Sequence, residues 1–169
     1  DELYLDPVMA LPPGNAPGMT SLEACYCGPQ ADAERALAPI RKLGTPMQDT
    51  IKAMDYVQVQ RANDSTDTRA IASYLKGGFI GKIPGELVDA LVQGFQGDPR
   101  RMTLLFFQHC GGASSRVADG ATAFAHRYAI ANMMAVAAYP IGEKDPAPHI
   151  EATRRYWKTL EPFTRGFYV

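Results

Sequence analysis

The sequence predicts an α+β fold, a largely antiparallel sheet with helices packed on one face. Three observations lead there. Segments of alternating polarity mix with segments of helical spacing, in the order β-β-α-(α) then β-α-β-β-α, without the strict alternation of a parallel doubly wound sheet. A turn-rich run, "PPGNAPG", separates the first two strand-like segments as a long hairpin loop would. Finally, 169 residues with 46% hydrophobic content can bury about 70% of the unfolded surface. The second run of elements has the order of a split β-α-β unit. A duplicated ferredoxin-like arrangement is therefore a natural extension, although no repeat is visible residue by residue.

The elements follow in chain order. Leu3–Leu11 alternates loosely. Met19–Cys27 alternates more clearly, with Leu22, Ala24 and Tyr26 on one side and Ser21, Glu23 and Cys25 on the other. These two segments are expected to pair. Residues 30–44 carry Ala33, Ala36, Leu37, Ile40 and Leu43 at helical spacing and stop at Gly44. Pro39 should kink that helix or start a new turn. "IKAMDYVQVQRAND" has the length of a short helix, against which its β-branched residues argue. Arg69–Phe79 reads as a strand ending in glycines. In "IPGELVDALVQGF", Leu87, Val88, Leu91, Val92 and Phe95 form one stripe, the clearest helix. Arg101–Cys110 is a strong strand, the loop Gly111–Arg127 follows, and another strand runs from Tyr128 to Ala138. "PHIEATRRYWKTLEPF" places Ile150, Thr153, Trp157 and Leu160 on a helical face.

Composition excludes several function classes. With 17 Lys and Arg against 18 Asp and Glu, and cations scattered, the chain lacks the basic stripe that phosphate contacts require. No apolar run nears the roughly 18–20 residues that span a bilayer. Neither nucleic acid nor membrane is an expected partner. Three cysteines and three histidines fall at no metal-ligand spacing, so no metal is expected. Cys25 and Cys27, two apart on a strand, are poorly placed for a mutual disulfide and read as small core residues. The first residues are already strand-like and the last follow a helical stretch directly. Residues 1–169 are therefore expected to be one domain truncated at both ends.

The strand from Tyr128 breaks the expectation that an antiparallel sheet is apolar on one face only. Its odd positions are Ala129, Ala131, Met133, Ala135 and Ala137; its even ones include Ile130, Asn132, Met134 and Val136. A row of alanines admits close approach, either by a helix or by a second domain or planar ligand. Tyr74 and Lys76 share one side of their strand, while Gln108 and His109 end theirs on opposite sides. Tyr74, Lys76, Gln108 and Asn132 are the candidates for a substrate-binding rim. Arg127 abuts the apolar strand, and a buried guanidinium needs a carboxylate, carbonyls or a bound anion. It is either a structural pair holding the loop or a ligand contact. An exposed apolar sheet face also predicts a homodimer.

The segment "HCGGASSRVADGATAFAHR" resembles the FAD-linked oxidases of the berberine-bridge-enzyme type, within the vanillyl-alcohol-oxidase group. The matching positions are Gly111, Gly112, Val117, Thr122, Phe124, His126 and Arg127. The resemblance extends upstream through "ACYCGPQADAERALAPIRKLGTPMQDTIKAMDYVQVQ" and "YLKGGFI", and downstream to "YWKTLEPFTRGFYV". It implies a substrate-binding domain whose sheet covers a flavin held by a separate FAD-binding domain outside this chain. It implies FAD as cofactor of the parent protein, His126 and Arg127 as cofactor-facing residues, and no catalytic base in this piece. The implied reaction is hydride transfer from a hydroxylated small molecule to the flavin, with reoxidation by O₂. A family segment near the flavin would begin at Tyr168. Plant alkaloid members place a carboxylate on the strand after the His-Arg pair; the matching position is near Ala135, which favours a sugar or alcohol substrate instead. From the residues alone, a stand-alone α+β ligand-binding or self-associating module without a redox role is the alternative.

Overall fold

The computed structural model describes residues 2–14, 16–62, 64 and 70–167. Five strands form one antiparallel sheet: β1 (Leu3–Leu11), β2 (Met19–Tyr26), β3 (Ile71–Ile80), β4 (Met102–His109) and β5 (Ala131–Pro140), in the order β2-β1-β4-β5-β3. Among the described residues, four α-helices accompany them: α1 (Ala33–Arg41), α2 (Tyr56–Gln60), α3 (Gly85–Gly94) and α4 (Ala147–Leu160). The α+β expectation and the order of elements both hold. The strands lie in a single sheet. Arg69, expected to open β3, and Tyr168 lie outside the described residues.

Register fixes the two faces of the sheet. Leu105 pairs with Ala135 and Phe107 with Met133, while Ile80 pairs with Ala131 and Lys76 with Ala135. Directly opposed side chains share a face. This face carries the core: Ile80, Leu105, Phe107, Met133 and Ala135 pack with Leu87 and Leu91 of α3 and with Tyr156, Trp157 and Leu160 of α4. Each fully buried Leu or Met here contributes about 1.5–3 kcal/mol of transfer free energy. The helices approach closely at Gly94, where a Cβ would fall 2.4 Å from the Tyr156 ring. The Tyr156 hydroxyl donates to the Leu91 carbonyl at 2.8 Å, and burial pushes its pKa above the ordinary tyrosine value.

Several expectations are corrected. Of the two readings of the alanine row of β5, the helix is the one found: the row lies under α3 and α4, and Ala137 is fully buried. β5 begins at Ala131 and not at Tyr128, because a turn closed by the Ala129 N–H on the His126 carbonyl intervenes. On α3 the buried positions are Leu87 and Leu91, while Val88 and Val92 are exposed. Leu43 is exposed past the end of α1. Cys25 and Cys27 are not core residues: β2 is the outermost strand and both are exposed. His149, which drew no notice in the sequence, is fully buried in α4.

Candidate functional site

The second face of the sheet carries Leu75 and Gly77 of β3, Met102, Leu104, Phe106 and Gln108 of β4, and Asn132, Met134 and Val136 of β5. No charged side chain falls among these three strands' residues, while the same face carries Asp6 of β1 and Glu23 of β2. Leu75 and Met102 are exposed large hydrophobics. At one end of this face the register sets Gln108 opposite Asn132. Asn132 is buried, and its Nδ2 donates to Gln108 Oε1 at 3.3 Å. That bond engages the Gln108 acceptor and leaves its amide donors to partners outside the sheet. Gly77 keeps the neighbouring surface flat; a Cβ there would sit 3.0 Å from Met134 Cγ and 3.7 Å from Asn132 Oδ1.

The loop between β4 and β5 closes the same end. Gly111 and Gly112 both adopt positive φ, 133° and 58°, a conformation other residues rarely tolerate. The loop then returns over Phe79. His126 stacks on the Phe79 ring at 4.3 Å, with Phe124 edge-on to both. The segment after α4 packs on the other side. Arg165 N–H donates to the Phe79 carbonyl at 2.8 Å, and Phe79 N–H to the Gly166 carbonyl at 3.1 Å. A Cβ at Gly166 would stand 2.4 Å from the His126 ring, so the backbone itself rests on the imidazole.

Among the described residues, Arg127 holds this loop without a carboxylate. It donates to the Ser114 carbonyl at 3.0 Å and to the Thr122 hydroxyl, and its guanidinium lies 5.1 Å from the Phe124 ring centre. Three buried polar atoms at this end have no hydrogen-bond partner among the described residues: Arg127 Nε, the Tyr128 hydroxyl and Asn132 Oδ1. Such atoms are rare in folded proteins, and each costs about 1–3 kcal/mol. Burial pushes the Tyr128 phenol up, against the pull of Arg165, whose guanidinium lies 4.9 Å from its ring centre.

Further groups here gave no sequence signal. Asp6 accepts from the His109 backbone N–H at 2.9 Å and from the Tyr4 hydroxyl at 2.7 Å, tying β1 to the end of β4. Burial and that carboxylate push the Tyr4 phenol up. Cys110 donates to the Gln108 carbonyl at 3.5 Å, and burial raises its thiol pKa. Asp6 and His109 lie far apart in sequence and meet only through β1–β4 pairing.

Gln108, Asn132, His126 and Arg127 thus gather at one end of the sheet, whereas Tyr74 and Lys76 lie on the helix side. The Tyr74 hydroxyl accepts from Arg154 of α4 at 3.0 Å. Ala135 also faces the helices, so the positions flanking it on the second face are Met134 and Val136, and neither can accept a proton. Two clefts lie elsewhere. One of about 220 Å³ is lined by Arg101, Thr103, Arg155 and Tyr156, and one of about 340 Å³ by Lys82, Glu86 and Phe163. Among the described residues no three His, Cys, Asp or Glu side chains are placed to share a metal, and no helix is long and apolar enough to cross a membrane.

No family model matches the sequence, and no curated protein matches it. Solved structures do match the fold. The 6-hydroxy-D-nicotine oxidase from Arthrobacter nicotinovorans aligns with a TM-score of 0.74 at 18% identity, over 99% of this chain and 38% of that one. A variant of berberine bridge enzyme aligns at 0.77 and 14%, over 98% and 37%. The carbohydrate oxidase from Microdochium nivale aligns at 0.72 and 15%, over 95% and 36%. The chain therefore spans a little more than a third of these proteins, and over that length it has the fold of a berberine-bridge-type oxidase.

Proposed function

We propose that this chain is the substrate-binding domain of an FAD-dependent oxidoreductase, and that the apolar β3-β4-β5 part of its second sheet face roofs a flavin held by a domain outside the chain. One observation carries the reading. In a fold shared with oxidases, an apolar wall, with Leu75 and Met102 exposed and Met134 and Val136 buried, ends in a cluster of Gln108, Asn132, His126 and Arg127 with three unpartnered polar atoms among the described residues. The wall fits a flat aromatic group, and the polar end fits the groups at its edge. When bound, FAD supplies the electron-accepting chemistry and passes the electrons to O₂.

The chain's own residues bind, orient and exclude water. Gln108 meets a substrate hydroxyl through its amide donors, and Asn132 positions it. His126 and Arg127 fix the loop at the cofactor's edge. Met134 and Val136 offer no base, which favours a neutral, hydroxylated substrate of sugar or alcohol type, with proton acceptance by a residue outside this chain. The fragment alone has no turnover. Tyr74 and Lys76 take no part, since they face the helices.

The test is the parent protein. Purified, it is expected to be yellow, with Gln108→Ala raising KM while the flavin spectrum is unchanged. Arg127→Ala is expected to lower turnover more than it lowers Tm. A colourless, fully folded parent overturns the reading. The second reading, a self-associating module without redox chemistry, draws on exposed Leu75 and Met102. A homodimer through this face in the colourless parent would favour it.

A further inference from the structure

We propose that Cys25 and Cys27 form a redox-active thiol pair that a hydroperoxide closes to an intramolecular disulfide. Their sulfurs are 3.7 Å apart, in contact, and both residues are exposed. The strand brings them together. Side chains two apart on an extended segment point the same way. Cys27 lies one residue past β2, where its N–H donates to the Glu2 carbonyl at 2.9 Å and keeps the chain extended. The third cysteine, Cys110, is half-buried and bonded to the Gln108 carbonyl. It is an internal reference for an isolated thiol.

The chemistry balances. One thiolate attacks a peroxide oxygen; the O–O bond breaks, leaving a sulfenic acid and one water. The second thiol attacks the sulfenic sulfur; the S–O bond breaks, the S–S bond forms and a second water leaves. The two thiols lose two electrons and two protons, and hydrogen peroxide is reduced to two waters. Two strand residues apart, the Cα atoms are separated by about 6.5 Å, near the upper limit of disulfide geometry. The bond is therefore strained and readily reduced, as in labile and not structural disulfides. Partial burial and the contact with Cys27 raise the Cys25 pKa, so closure accelerates with rising pH. Reoxidation of a flavin by O₂ yields hydrogen peroxide, so the oxidase reading would supply the oxidant in place. The pair's chemistry does not depend on it.

The experiment is hydrogen peroxide treatment of the reduced, purified protein, read by thiol titration and peptide mass mapping. The expected result is loss of two of the three thiols, a mass lower by two hydrogens, and a bond between Cys25 and Cys27 within one peptide, reversed by dithiothreitol. The Cys110→Ser variant is expected to behave identically, and Cys27→Ser to leave a trappable sulfenic acid on Cys25. Retention of all thiols at doses that oxidise free cysteine would overturn the proposal. So would a product consisting only of sulfinic acid or of intermolecular dimers.

Discussion

Asn132 on β5 holds Gln108 on β4 through a 3.3 Å amide–amide hydrogen bond, while its own Oδ1 stays buried without a partner among the described residues. The pair is half satisfied, and its two halves respond differently to substitution.

Asn132→Ala removes a bond worth about 0.5–1.5 kcal/mol together with an orphaned carbonyl costing about 1–3 kcal/mol. Urea denaturation is expected to place it within about 1 kcal/mol of the unmodified protein. Asn132→Asp sets a buried carboxylate against the Gln108 acceptor and is expected to cost about 3 kcal/mol at neutral pH. Equal stability of the two variants would refute this account of the pair.

Gly94→Ala forces a methyl into the Tyr156 ring, at 2.4 Å. The gain in helix propensity is smaller than the overpacking cost, so a net loss of about 1–2 kcal/mol is expected in thermal or chemical denaturation. The double variant Gly94→Ala, Tyr156→Ala should lose the clash and show a positive coupling in a double-mutant cycle.

Leu160 is fully buried between α4 and the sheet. Leu160→Ala is expected to cost about 2–5 kcal/mol and to lower Tm by many degrees. An effect under about 1 kcal/mol would mean that the helices pack loosely on the alanine row.

Arg127→Ala frees the loop at Ser114 and Thr122, with a loss of about 1 kcal/mol or less in global stability. The sensitive readout is local. Trypsin cleavage after Arg116, within the clasped loop, is expected to rise several-fold. Arg127→Lys, which lacks the planar fork, should restore little of the protection.

Asp98 couples stability to pH. Burial raises its carboxyl pKa, but the Arg100 backbone N–H and the Arg101 and Arg100 guanidiniums outweigh that and hold it below the ordinary value. A depressed folded pKa stabilises above the unfolded value of about 3.9, and the contribution fades as pH falls through the lower folded value. Asp98→Asn is expected to lose stability at pH 7 and to show a flatter acid limb below about pH 4. An unchanged acid limb would assign it to other carboxylates.

Strands and helices were legible because their apolar spacing is regular: Leu87 and Leu91 mark α3, and the buried alternation of Thr103, Leu105 and Phe107 marks β4. Position within the sheet was not. Small residues admit a helix and a ligand equally, so the alanines of β5 could not say which face α3 and α4 would take. The exposure of Cys25 and Cys27 follows from β2 being outermost, a long-range fact absent from local pattern. Of the site, Gln108, Asn132, His126 and Arg127 were visible as polar residues beside an apolar run. The partnership of Asp6 with His109, and the helix-side position of Tyr74, depend on pairing between distant segments. The burial of His149 depends on which side of α4 meets the sheet, which periodicity centred on Ile150 did not reveal.

The glycine at 166 has a mechanical meaning. Its bare backbone lies on the His126 ring, which lies on Phe79, which is pinned by two hydrogen bonds to the same segment. These layers are in hard contact, so a displacement of the segment after α4 cannot be absorbed by a soft side chain between them. It is handed on to the Gly111–Arg127 loop, and the two move as one lever.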